Sequence, residues 1–223
     1  MKTVHITIDL ETASLKPNAA IIQIAAVAWD AEATDMQKRP IIYDKDHNPY
    51  VFNSYSNLTT CLVNGMDFNA ETIKWWASQS QEAKDALTSS TELESINDLI
   101  QHFFEWIEET KASLGAEKVI IWAQGTDMDI AVLRTAAETV GIKTLPWDYD
   151  NVRDSRTFIK YICEMAKIPE DSDIFKMPQN NHMSSYLMPA KHNALYDALQ
   201  SSWNVFVLHN VMKAVFSGKK VNK

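Results

Sequence analysis

Only two cysteines, Cys61 and Cys163, occur in the 223 residues of this chain. They are too few for a disulfide framework and show no metal-ligand spacing, so the expectation is two free, buried thiols in a reducing cytosol, hence a cytoplasmic protein. No apolar run approaches the length of a membrane span. The most apolar stretch, Ala19 to Trp29, is interrupted by Gln23. The first residues enter a strand pattern almost at once, without the basic start, apolar middle and small-residue cleavage site of a secretory leader, and no membrane partner is expected. Internal repeats and low-complexity tracts are absent. A basic excess is missing too: 21 Lys and Arg face 29 Asp and Glu, for a net charge of −8. That balance counts against simple electrostatic capture of nucleic acid. It leaves room for a local basic path through Arg153, Arg156, Lys160, Lys191, Lys219 and Lys220, and two divalent cations would neutralise four of the carboxylates.

Hydrophobic content of 46% with 22% charged residues is ordinary for a globular protein, and this length buries a core without staples. The expectation is one domain over residues 1–216 and a flexible tail over 217–223. Strand patterns open the chain at Thr3 to Glu11, Ile21 to Trp29 and Tyr50 to Tyr55. Pro17-Asn18 separates the first two at hairpin distance, which predicts an antiparallel start. Ile41-Ile42-Tyr43 is a candidate short strand. Ala70 to Ser78 reads as a short helix. Thr91-Glu92-Leu93-Glu94 reads as a capping box that starts a longer helix, whose buried face is Leu93, Ile96, Leu99, Ile100, Phe103, Phe104 and Ile107. Lys118 to Ala123 is a short buried strand. Thr126 or Asp127 is expected to cap a helix that runs to about Val140 and stops at Gly141. A strand around Trp147 to Val152, a helix from about Arg156 to Lys167 and a last helix from about Asn193 to Ala214 complete the pattern. Pro169 to Pro189 holds three prolines and no clear period, so it reads as a long irregular loop. An antiparallel opening followed by alternating helices and strands argues for an α/β layered domain.

The most chemically informative segment is Val4-His5-Ile6-Thr7-Ile8-Asp9-Leu10-Glu11. In an extended strand alternate side chains share a face, so Val4, Ile6, Ile8 and Leu10 line one side and His5, Thr7, Asp9 and Glu11 the other. Two carboxylates this close repel unless a cation or a proton sits between them. The pattern supplies half of a metal site, and Asp129, His192 and Asp197 are candidate partners from much later in the chain. Asp129 competes with Asp127 for that role. Asp154 is a candidate helper near the metals or a salt-bridge partner of Arg153 or Arg156. Trp75 and Trp76 offer faces for base stacking, but adjacent helical residues diverge, so one of them is expected in the core.

Three motifs in order carry a family resemblance. Ile8-Asp9-Leu10-Glu11-Thr12 with Ile21 to Val27 resembles the first exonuclease motif of the DEDD (DnaQ-like) 3′–5′ exonucleases. Trp122 to Leu133 resembles the second, with the carboxylate directly before Ile130. His192-Asn193-Ala194-Leu195-Tyr196-Asp197 resembles the third in its histidine subclass. Arg153-Asp154-Ser155-Arg156-Thr157 and Ile73-Lys74-Trp75-Trp76 are similar to a branch with phage single-strand exonucleases and prokaryotic 3′–5′ exoribonucleases. The resemblance covers Val4 to about Val205. It implies a ribonuclease-H-like mixed sheet flanked by helices. It also implies hydrolysis of single-stranded ends to nucleoside 5′-monophosphates with two divalent cations, Mg²⁺ or Mn²⁺. Asp9, Glu11, Asp129 and Asp197 would be the metal ligands. His192 would be the general base, placed in a loop or first turn ahead of the helix that carries Asp197. Thr12, Leu15, Trp75, Arg153 and Arg156 are candidate substrate contacts. DNA is favoured as the partner on compactness and the phage-like branch, with RNA as the alternative; a homodimer is left open. A rival from another class is an inactive single-strand-binding module on the same fold. Two departures stand out: Ser14 replaces a glycine common after the first motif, and Gln23 takes a position often acidic, with no expected effect on a ligand.

Overall fold

The computed structural model describes residues 2–33, 40–88, 92–177 and 192–217. Its frame is a six-stranded mixed sheet in the order β4-β3-β2-β1-β5-β6. Strand β1 (Thr3–Thr12) lies inside it, antiparallel to β2 (Ile21–Trp29) and parallel to β5 (Lys118–Ala123). On one flank β2 pairs antiparallel with β3 (Val51–Ser56), which carries the two-residue β4 (Leu93–Glu94). On the other flank β5 pairs parallel with β6 (Val152–Asp154). The antiparallel opening therefore forms as the hairpin spacing predicts.

The alternation in β1 does not separate core from solvent, because both faces of the sheet are covered. Val4, Ile6, Ile8 and Leu10 pack in one cluster with Leu99, Ile100, Phe103 and Ile107 of α4 (Ile96–Ser113) and Ile130, Val132 and Leu133 of α5 (Asp129–Thr139). On the opposite face α7 (Ala194–Phe216), flanked by α6 (Ser155–Ala166), packs against β1 and β2. There Trp203 and Phe206 meet Trp29 and Trp122, and Leu195 and Leu199 meet Ala25 and Val27. This mixed sheet between two helical layers is the α/β, ribonuclease-H-like architecture that the resemblance implies. His5 lies on the α7 side, where Trp122 Nε1 donates to its Nδ1 at 2.9 Å. Burial, reinforced by the His209 charge, lowers its pKa to about 4, so His5 stays neutral and is committed to packing.

Several local expectations are corrected. Helix α4 begins at Ile96 under Ser95, whose Oγ accepts from Asp98 N at 3.2 Å and donates to Asp98 Oδ2 at 2.6 Å. Leu93-Glu94, expected in the helix, extends the sheet edge instead, and Thr91 lies outside the described residues. Helix α5 begins at Asp129 with no side-chain cap from Thr126 or Asp127; its end at Gly141, with φ 83°, is as expected. The strand expected at Trp147 to Val152 forms over Val152–Asp154 after a 3-10 turn at Tyr149–Asn151, and α6 starts at Ser155. Two short helices, α1 (Leu58–Val63) and α3 (Gln81–Thr88), have no counterpart in the sequence reading, whereas α2 (Ala70–Ser78) does. Within the expected loop from Pro169 to Pro189, a 3-10 turn at Asp173–Phe175 buries Phe175 against Ile162, Cys163 and Leu208. Residues 178–191 and the expected tail at 218–223 lie outside the described residues. Cys61 and Cys163 are free and buried. No described helix is long and apolar enough to cross a membrane.

Because Ser95 rather than Thr91 satisfies the first α4 donors, Ser95→Ala should cost about 1 kcal/mol of stability in urea denaturation. Phe103→Ala, on the buried face of the same helix, should cost about 3–5 kcal/mol.

Candidate active site

The carboxyl end of β1 is where the acidic residues gather. The β1–β2 register slips between Glu11 and Thr12, the kind of irregularity that bends a strand and re-aims its side chains. Asp9 and Glu11 project from the α7 face, and Asp197 comes down onto them from the first turn of α7. One ligand oxygen from each of Asp9, Glu11 and Asp197 lies within 4.8 Å of the others. Asp129, the first residue of α5, is buried and lines the same cavity, whereas Asp127 does not. Burial and the cavity thus bring Asp129, and not Asp127, beside the cluster.

The electrostatics are those of like charges forced together. Burial, then the charges of Asp129, Glu11 and Asp197, raise the Asp9 pKa well above the usual carboxylate range. Burial, then Asp197 and Asp129, push Glu11 to about 8. Burial pushes Asp129 to about 7, against the pull of the backbone N–H groups of Leu10 and of Asp129 itself and of the Arg156 charge. Glu11 Oε1 is buried with no hydrogen-bond partner among the described residues. An acceptor left unpaired in such a place costs free energy that a cation would recover. The donor set is oxygen only, which suits Mg²⁺ or Mn²⁺. The residues therefore fit the divalent cations that the resemblance implies.

His192 stands just ahead of α7, as expected, in a left-handed backbone conformation with φ 66°. For a non-glycine residue that conformation is strained and is held by its surroundings. Its N–H donates to Asp197 Oδ2 at 3.2 Å, tying base candidate and ligand candidate together. Its ring meets Trp75 edge to face, with centroids 4.9 Å apart and planes at 80°. Trp76 is the buried member of the tryptophan pair, its Nε1 donating to Thr12 O at 3.0 Å, while Trp75 remains 44% exposed at the cavity wall.

The cavity measures about 960 Å³ and holds most of the expected contacts: Thr12, Leu15, Trp75 and Arg156 line it beside the carboxylates and His192. Arg153 is not among its lining residues. Its guanidinium instead donates to the carbonyls of Asp150 and Val152 at 2.6 and 2.9 Å. Asp154 also has another task. Its carboxylate accepts from Thr157 N at 2.7 Å, capping α6, and from Thr126 N at 2.9 Å, pinning the loop before Asp129. Burial works to raise the Asp154 pKa, but those backbone donors outweigh it and hold it below the usual range. Gly125, with φ 128°, lets the Arg156 guanidinium lie close: an added Cβ would stand 3.4 Å from its Nη1.

Sequence reasoning did not single out Lys16, Asn69, Glu71 or Gln200, which also face the cavity. Lys16 carried one readable signal, its place two residues after Ser14. In the position where a glycine is common, Ser14 is buried and donates to Asp67 Oδ2 at 2.6 Å, and Lys16 Nζ meets Asp67 Oδ1 at 2.8 Å. The loop after β1 is thereby tied to the segment that leads into α2. Glu71 and Gln200 come from helices, and Asn69 from the cap of α2, whose facing only the fold reveals.

Comparison with known proteins adds three findings. No curated protein matches the chain in sequence. A solved structure described as product-bound exonuclease I at 1.5 Å is similar at a TM-score of 0.48 and 14% identity, over 96% of this chain and 44% of the other. The chain thus spans less than half the length of that protein. The family model described as the 3′-5′ exoribonuclease Rv2179c-like domain matches residues 4–208, a stretch that contains all three acidic motifs. On that match the chain belongs to the 3′-5′ exoribonuclease Rv2179c-like domain family.

Proposed function

We propose that this protein is a divalent-metal-dependent 3′–5′ exonuclease that hydrolyses single-stranded ends to nucleoside 5′-monophosphates, with RNA as its substrate. The observation that carries the reading is the meeting of Asp9, Glu11 and Asp197 within 4.8 Å, beside Asp129 and His192, in an open cavity. A binding module of the same fold has no need of a repelling carboxylate cluster with an orphaned Glu11 oxygen. The family description supports RNA over the DNA that compactness and the phage-like branch favoured. DNA is retained as the second reading, because the phage-like motifs Arg153 to Thr157 and Ile73 to Trp76 stand unchanged.

Asp9, Glu11, Asp129 and Asp197 would hold two Mg²⁺ or Mn²⁺ ions. When bound, the ions supply charge neutralisation at the scissile phosphate and orientation of attacking and leaving oxygens. The protein's own groups do the rest. His192 accepts a proton from the attacking water as its oxygen bonds to phosphorus, and the 3′-oxygen of the preceding nucleotide leaves. Trp75 and Leu15 present apolar surface to the terminal base. Arg156, and Lys16 in its pair with Asp67, line the same cavity and bring positive charge toward the substrate's phosphates.

Asp9→Asn or Asp197→Asn should abolish hydrolysis with the fold retained, read by degradation of matched end-labelled RNA and DNA oligomers in Mg²⁺ or Mn²⁺. Near-normal cleavage by either variant would remove that residue from the metal assignment. The same wild-type assay decides the substrate, and efficient cutting of a circular strand would show an endonuclease instead.

His192→Ala should lower turnover by about 10²- to 10⁴-fold with far less change in affinity, and recover partly at high pH. Unchanged turnover with weakened binding would make His192 a binding residue.

The raised carboxylates also set a pH dependence. Between the ordinary carboxylate range and about pH 8, the unfolded chain has released protons that Asp9, Glu11 and Asp129 keep in the fold. The native state then binds more protons, so its stability falls as pH rises. The metal-free protein should melt at progressively lower temperature from about pH 5 to 8, and Mn²⁺ should abolish that slope. A flat metal-free profile would mean that the carboxylates do not repel as the geometry requires.

A further inference from the structure

Gln23 takes no part in the cavity wall, yet it reaches the site from behind. It is fully buried in β2, opposite Glu11 in the β1–β2 register. Its Nε2 donates to Asn53 Oδ1 at 2.8 Å and to Tyr55 Oη at 3.1 Å, both on β3. Its Oε1 accepts from Ala194 N, the first residue of α7, at 3.1 Å. Both amide hydrogens and the carbonyl are thus spent, and the side chain spans from β3 across β2 to the helix.

The first N–H groups of a helix have no partners within it. At α7 those of Ala194, Leu195 and Tyr196 each find one. Asn193 Oδ1 accepts from Leu195 N and Tyr196 N, and Asp197 Oδ2 accepts from His192 N. Those partners all lie within residues 192–197 and move with the helix. The bond from Ala194 is different, because it ends on the sheet. Apolar packing of Ala194 and Leu195 on Ala25 and Val27 holds the helix down but sets no single depth or rotation. A directional hydrogen bond does.

We propose that Gln23 is a positioning residue that fixes the start of α7 against the sheet, and through it the places of Asp197 and His192 relative to Asp9 and Glu11. The residue needs an acceptor toward Ala194 above all; the donors toward Asn53 and Tyr55 only anchor it. A glutamate keeps that acceptor in either protonation state, and a methionine of similar length lacks it.

The inference rests on the metal-site reading above, so its test combines activity with two measurements that need no turnover. Wild type, Gln23→Met and Gln23→Glu are compared by Mn²⁺ titration calorimetry, by amide hydrogen exchange and by steady-state kinetics. Gln23→Met should bind Mn²⁺ about 10-fold or more weakly, the loss usual when a partner that orients a ligand is removed. Exchange should quicken across residues 193–197 and stay unchanged in β5. Turnover should fall with little change in KM, and Gln23→Glu should recover most of the loss on all three readouts. Wild-type metal affinity and exchange in Gln23→Met would overturn the proposal, as would a Gln23→Glu protein as impaired as Gln23→Met. Should Gln23→Met fail to fold, Gln23→Glu decides alone: near-normal Mn²⁺ affinity and exchange uphold the proposal and their loss overturns it. A wild type without nuclease activity whose Mn²⁺ affinity and exchange still follow this pattern would sink the exonuclease reading and leave the positioning role standing.

Discussion

Four carboxylates must share one small volume against their own repulsion, and the layout around them answers to that demand. Three rigid elements hold them. Asp9 and Glu11 sit on an inner strand covered on both faces. Asp129 starts α5 and Asp197 lies in the first turn of α7, where the exposed N–H groups favour negative charge. Backbone N–H groups of Leu10 and Asp129 pull the Asp129 carboxyl toward its ionised form, whereas burial and repulsion raise Asp9 and Glu11 without such help.

The polar residues around the cluster act mainly on backbone. Asp154 joins the loop before α5 to the start of α6, Ser14 and Asp67 join the loop after β1 to the approach of α2, and Asn69 caps α2 with its side chain. Their common effect is to hold three loops that border the cavity, where loops are ordinarily the least ordered parts of a fold. The strain at His192 is tolerated in such a setting because the Asp197 carboxylate and the two tryptophan rings define its place.

Much of this was legible in the amino-acid sequence, for identifiable reasons. Strand β2 and helix α2 were readable to the residue because periodicity and flanking polar residues agreed. The acidic cluster was readable because two carboxylates at strand spacing repel each other, and the later motifs supplied the carboxylates that the fold brings beside them. Element starts were less legible. The sequence pointed to Thr91 as the cap, and only the pairing of Leu93 and Glu94 with β3 moves the start of α4 to Ile96 under Ser95. Short α1 and α3 carry too few residues for a period to show. Arg153 and Arg156 are equivalent in the sequence, but one turns to local carbonyls and the other to the cavity. Gln23 was invisible as a functional residue, since its partner lies 171 positions away.

The distance along the chain between the ligands bears on how this protein comes into being. Asp9 emerges first during synthesis, Asp129 only after more than half of the chain, and Asp197 belongs to the helix that closes the α7 face of the sheet. Domains form from the N-terminal side as translation proceeds, and pairings between distant segments wait for both partners. Until the segment 194–216 has left the ribosome and docked, the first strands hold two carboxylates without the rest of their cluster. A nascent chain therefore carries an incomplete carboxylate cluster until α7 docks on the sheet.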